Sequence, residues 1–154
     1  MTANPITADY NDTLRTALRK MASINVNHLP VLDSDGHLVG IVSDRDVRRV
    51  LDLPELMLHN WEKVPDLDTI RVRQIMTAAP IIVEPHAPAE DAARLMLVNH
   101  ISSLPVMRAE TLVGIVTKSD ILVAYLRMVE RQEKNRTNLM MVDSSSMEGR
   151  PPLS

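Results

Sequence analysis

The feature that most constrains this chain is that it states one pattern twice. Met1–Leu32 matches Met76–Met107 at a constant offset of 75: MTANP meets MTAAP, Ala17 falls on Ala92, Met21 on Met96, and Leu29, Pro30 and Val31 on Leu104, Pro105 and Val106. One residue is then lost, and LVGIV at Leu38–Val42 returns at Leu112–Val116, with Asp46 pairing Asp120 at offset 74. Self-similarity of this length means one supersecondary unit used twice, so the fold has to be a pair of like modules. The deletion falls between two strands, where a loop absorbs it.

Each unit has the same internal order. A short extended piece, Pro5–Ala8 or Pro80–Val83, precedes a helix. In the first unit Leu14, Ala17, Leu18, Met21 and Ala22 form one apolar stripe at helical spacing after a cap at Asp12 or Thr13. In the second the stripe is Ala89, Ala92, Ala93, Met96 and Leu97, with Pro88 suited to the first turn. Two short strands follow, Leu29–Leu32 and Leu38–Val42, joined by the turn-forming Asp33, Ser34, Asp35 and Gly36. Arg108–Thr111 does the same work in the second unit.

The phrase GIVSDRD, Gly40–Asp46, and its echo GIVTKSD, Gly114–Asp120, then carry a β-branched strand straight into a helix. The first of these helices stops near Pro54. The second carries Ile121, Leu122, Tyr125, Leu126 and Val129 along one side and is expected to end near Arg131. The expected organisation is a first repeat over residues 1–53 and a linker over 54–71 with a short helix holding Leu56, Met57 and Trp61. A second repeat over 72–132 and a disordered tail over 133–154 complete it.

Composition excludes several chemistries. A net charge of −3 gives no general electrostatic case for nucleic acid, and three aromatics, Tyr10, Trp61 and Tyr125, provide no stacking platform for single strands. The absence of cysteine excludes disulfides, thiolate nucleophiles and cysteine-bound zinc, and fits a reducing, cytoplasmic location. No stretch reaches the roughly 20 apolar residues of a membrane helix, and Met1–Tyr10 lacks the pattern of an export signal. The histidines at 28, 37, 59, 86 and 100 show no close metal-ligand spacing, so no metal or cofactor is expected. No phosphate loop or nucleophile elbow is present, and the chain does not read as an enzyme.

Ser43 with Asp46, and Thr117 with Asp120, have the spacing of a helix capping box. Their duplication at matched strand ends also suits ligand binding, since a capped helix start holds a hydroxyl and a carboxylate rigidly toward a diol. Both readings stand on the residues alone.

Taken together, the MT-x-x-P opening, the helix ending in Met, the LPV strand and LVGIV-[ST]-x-x-D make the duplicated unit resemble a CBS domain, and the pair a Bateman module, over about residues 1–130. The resemblance implies an α+β fold of tandem CBS repeats, each ordered short strand, helix, strand, strand, helix, packed about a pseudo-twofold axis. It implies two clefts between the repeats for adenosine-containing ligands such as AMP, ADP, ATP or S-adenosylmethionine, and a regulatory sensing role. In the family pattern the aspartate of the phrase takes the ribose hydroxyls and the preceding hydroxyl residue lies nearby.

Carried onto this sequence, one cleft combines Asp46, Ser43, Ile41 and His28 with Thr77, Ile81, Ile101 and Ser102 of the other repeat. The second combines Asp120, Thr117, Ile115 and Ser103 with Thr2, Ile6, Val26 and Asn27. His28 matches Ser103 and Arg45 matches Ser119, so the cleft of Asp46 has the better supply of cations for phosphate. Val72–Ile75 resembles the family's lead-in helix, whereas the first repeat begins at Met1 without one, which also ranks the cleft of Asp46 first. A homodimer through the apolar stripe of the last helix, and an unidentified regulated protein, are the implied partners. The alternative is a ligand-free dimerisation or docking module for an enzyme or transporter.

Overall fold

The stripe that begins at Leu14 forms a helix because Thr13 caps it: the Thr13 side chain accepts the Thr16 N–H at 3.2 Å, and Leu14, Ala17, Leu18 and Met21 turn inward. The structure, a computed structural model, describes residues 1–52 and 62–147, the side chains of 143–147 excepted. Its elements in chain order are β1 (Thr2–Ala3), β2 (Ala8–Asp9), α1 (Leu14–Ile24), β3 (His28–Leu32), β4 (Leu38–Ser43) and α2 (Asp44–Leu51). Then come α3 (Val72–Ile75), β5 (Thr77–Ala78), α4 (Ala89–Val98), β6 (Ser103–Arg108), β7 (Thr111–Thr117) and α5 (Lys118–Met147). Residues 1–117 form one compact unit, and α5 belongs to a second.

Within the first unit the repeats exchange their opening strands. A four-stranded sheet has the order β2-β3-β4-β5 and a three-stranded sheet the order β1-β7-β6. Thus β5, from the second repeat, pairs antiparallel with β4 of the first, setting Thr77 against Ile41 and Ala78 against Gly40. Reciprocally, β1 pairs with β7, setting Thr2 against Ile115 and Ala3 against Gly114. The symmetry extends to the next residue, since Asn4 N–H donates to Val113 C=O and Ala79 N–H to Val39 C=O. Asn4 and Ala79 share a left-handed backbone, with φ of 48° and 46°. The duplicated sequence therefore folds into duplicated geometry.

The two glycines of the repeated phrase make this exchange possible. A Cβ at Gly40 would lie 2.5 Å from Met76 Sδ and 3.0 Å from the Thr77 carbonyl oxygen. At Gly114 the corresponding distances are 2.9 Å to Met1 Sδ and 3.1 Å to the Thr2 carbonyl oxygen. A bare α-carbon lets the methionine of MT-x-x-P lie over the neighbouring sheet.

Around the first sheet, Leu14, Leu29, Val31, Val42, Val47, Leu67 and Val72 are all fully buried in one core. Within the expected linker, the described residues 62–71 pack through Leu67 and are fastened by Arg15, whose guanidinium reaches Asp68 at 2.8 Å, the Glu62 carbonyl at 3.0 Å and the Val64 carbonyl at 3.2 Å. Leu56, Met57 and Trp61 lie outside the described residues. In the β3–β4 turn Asp33, Asp35 and His37 bring their side-chain ligand atoms within 4.8 Å of one another. The turn accounts for this gathering, since Asp33 Oδ1 accepts N–H bonds from His37 at 2.8 Å and Asp35 at 3.0 Å. Those N–H groups, that of His37 foremost, hold the Asp33 carboxyl below its usual range.

The last helix also departs from expectation. It does not stop near Arg131 but continues to Met147, 30 residues and about 45 Å. Between Lys118 and Glu148 there is no glycine or proline, Arg127–Arg136 is rich in good helix formers, and Thr137 Oγ1 bonds the Glu133 carbonyl within the helix. Polar composition after Gln132 signals exposure, not a helix end. The expected disordered tail over 133–154 is therefore helical through Met147, and 148–154 lie outside the described residues. Among the described residues no helix is long and apolar enough to cross a membrane.

If the close approach at Gly40 holds β5 in place, Gly40→Ala should destabilise the protein by about 1–3 kcal/mol, because the Thr77 carbonyl is backbone and cannot swing aside. Urea unfolding of wild type and variant measures this, and equal midpoints would contradict it.

Candidate functional site

At the junction of β4 and α2 the phrase forms a complete capping box. Ser43 Oγ accepts the Asp46 N–H at 3.2 Å, while Asp46 Oδ2 accepts both the Ser43 N–H and the Ser43 hydroxyl at 2.8 Å. Both bonds fall on one carboxylate oxygen. Among the described residues Oδ1 has no partner, and Asp46 stands in the wall of a cavity of about 380 Å³. The capping reading and the ligand reading are therefore compatible at this position.

The cavity is assembled from both repeats. Strand β4 and α2 supply Ile41, Ser43, Arg45 and Asp46; β3 supplies His28; β5 and the chain after it supply Thr77 and Ile81; the segment before β6 supplies Ile101 and Ser102. All nine residues named for the first cleft thus line one space. Strand exchange is the cause, since pairing Thr77 with Ile41 lays the start of the second repeat along the first repeat's phrase. Sequence reasoning missed Arg49, Ala79, Pro80, Asn99 and His100, which also line it. Arg49 was findable, for it lies one helical turn after Arg45 on α2.

The residues named for the second cleft are placed differently. Ser103, expected in that cleft, is buried at 7% exposure opposite Thr117, as His28 stands opposite Ser43, and, following directly on Ser102, it also lines the first cavity. Thr2 and Ile115 face each other across the β1–β7 pairing. Ile6 is exposed, Val26 packs against the first core, and the Asn27 carbonyl accepts the Asp44 N–H at 3.1 Å. Asp120 sits in the first turn of α5, in the second compact unit.

His28 Nε2 lies 2.8 Å from Ser102 Oγ, a hydrogen bond that crosses from one repeat to the other. Burial pushes the imidazole pKa below its ordinary 6.5, and Arg45 adds to this, while the carboxylates of Asp44 and Asp46 oppose it. The side chain is therefore a neutral hydrogen-bonding group at neutral pH. The cationic character expected of this position belongs to the arginines of α2.

An inter-repeat cavity built by reciprocal strand exchange defines a paired-module α+β protein. A family model described as CBS domain matches residues 1–53 and 72–127, and the chain belongs to the CBS-domain family as a tandem pair. It is 35% identical over 131 residues to a CBS domain-containing protein of Dictyostelium discoideum, covering 84% of this chain and 90% of that protein. Among solved structures, CBSX2 in complex with AMP is similar at a TM-score of 0.66 and 32% identity, over 83% of this chain and 93% of that one. A CBS domain pair in complex with 5′-methylthioadenosine and S-adenosyl-L-methionine is similar at 0.66 and 30%, over 79% and 87%.

The lowered pKa of His28 sets a direction for acid stability. The unfolded chain binds this proton more readily than the folded one, so the cost is absent above pH 6.5 and grows as pH falls below it. Thermal unfolding between pH 7 and pH 5 should show a smaller loss for His28→Gln than for wild type. An identical pH dependence would contradict the assignment.

Proposed function

We propose that this chain is a regulatory sensing module that binds an adenosine-containing ligand, AMP, ADP, ATP or S-adenosylmethionine, in the cavity bounded by Asp46, Ile41, Thr77, Ile81 and Ile101. The observation that carries the reading is the carboxylate of Asp46. One oxygen is fixed by the cap, the other has no partner among the described residues, and the residue stands in the cavity wall, so that oxygen has acceptor capacity to offer a ribose hydroxyl. The apolar Ile41, Ile81 and Ile101 suit a purine face, and their origin in two repeats supplies the means of signalling. A ligand touching both repeats favours one arrangement of them by its differential affinity for it. The likeness to CBS structures holding AMP and S-adenosyl-L-methionine supports the same class of ligand.

In this reading the protein binds and signals without catalysis, and its partners are a second copy and a regulated protein. Self-association is supported by α5, where Leu122, Tyr125, Leu126 and Met128 are all exposed. The same observation favours the second reading, a docking or dimerisation module with a vacant cavity, and ligand titration separates the two.

Calorimetric titration with AMP should give binding to the wild type, weakened by about 1.5–3 kcal/mol in Asp46→Ala through loss of a charged hydrogen-bond acceptor. Unchanged affinity together with a lowered melting temperature would make Asp46 a cap only. No heat and no thermal shift with any of the four compounds at millimolar concentration would leave the docking module as the better account.

A further inference from the structure

The charge of the cavity wall differs from that of the protein. Over a chain of net charge −3, the lining holds two guanidinium groups, Arg45 and Arg49, against a single carboxylate, Asp46. That carboxylate already takes the Ser43 N–H and hydroxyl. Of the three arginines on α2, Arg48 is ion-paired with Asp44 at 3.2 Å. Arg45 and Arg49, both exposed, make no ion pair among the described residues.

Their spacing sharpens the point. Residues four apart on a helix are surface neighbours, and two like charges so placed destabilise it unless an anion lies between them. Arg45 and Arg49 are so placed, on the side of α2 that borders the cavity. The second copy of the phrase carries no such pair, since at offset 74 Arg45 becomes Ser119 and Arg49 becomes Val123. Helix propensity does not require two arginines here, and the duplicated unit folds its phrase without them.

Resting on the reading that this cavity takes an adenosine-containing ligand, we propose that Arg45 and Arg49 form a phosphate clamp that makes it select a nucleoside phosphate over adenosine or an adenosyl sulfonium. The planar guanidinium fork matches phosphate oxygens in pairs. With Asp46 on the ribose, phosphate would extend along α2 toward the two arginines. S-adenosylmethionine, whose sulfonium is positive and whose tail is zwitterionic, meets the same pair with no compensating excess of negative charge. His28 and Ser102, bonded to each other across the repeats, remain neutral polar groups beside this wall.

The test is calorimetric titration of the full chain with AMP, adenosine and S-adenosylmethionine at one ionic strength, repeated on the R45Q/R49Q double variant. The wild type should bind AMP at least about tenfold more tightly than adenosine, the scale of a charge-assisted hydrogen bond. S-adenosylmethionine should bind no more tightly than adenosine. The double variant should keep its adenosine affinity, which reports an intact fold, and bring AMP to within about twofold of adenosine. Equal affinity of the wild type for AMP and adenosine, or preference for S-adenosylmethionine, overturns the clamp while leaving the cavity an adenosine site. Retention of the AMP margin in the double variant also overturns it. Binding of none of the three overturns the clamp and the adenosine reading together.

Discussion

The structure of residues 1–117 depends on one close contact made twice, the methionine and threonine backbone of MT-x-x-P lying against the glycine of the other repeat's phrase. Met76 and Thr77 approach Gly40, and Met1 and Thr2 approach Gly114, at separations that leave no space for a side chain. The composite wall of the site follows from that approach. It allows β5 to complete the first repeat's sheet, and this pairing puts Thr77 beside Ile41. The cavity therefore belongs to neither repeat alone.

A site built in this way has its polar groups fixed before any ligand arrives. Asp46 is held by the cap it forms with Ser43, so the same two residues set the start of α2 and fix a carboxylate in the cavity wall. His28 is held by Ser102 across the repeats. Such preorganisation lowers the entropy cost of binding, and it also makes the wall sensitive to relative movement of the repeats. In the proposed reading, that coupling is the means by which a small ligand would bias the arrangement of the two repeats.

Much of this is legible in the sequence, for reasons that differ from residue to residue. The helices, the hairpins and the duplication follow from periodicity and self-match, because buried stripes such as Leu14, Ala17, Leu18 and Met21 leave a direct pattern. The nine residues of the first cleft came from the resemblance, and the structure brings them to one wall; their role as ligand contacts is a proposal. Leu67 was not legible, since Val64, Leu67 and Ile70 form too short a run, interrupted by Pro65 and separated by charged and polar residues, to announce a buried element. The length of α5 was missed because polar composition reports solvent, whereas a helix ends at breakers, and the first of those is Gly149. Arg49 was passed over because it lies outside the repeated phrase, and Ser103, the counterpart of His28, was not foreseen in the wall of the first cavity.

The central claim is that ligand binds where the repeats meet and touches both. The most direct measurement is chemical-shift mapping of backbone amides during titration of the isotopically labelled chain with AMP. The account predicts perturbations on both repeats at once, at Ile41, Ser43 and Asp46 together with Thr77, Ile81, Ile101 and Ser102, following a single saturation curve. Perturbations confined to one repeat, or centred on residues away from this wall, would contradict it.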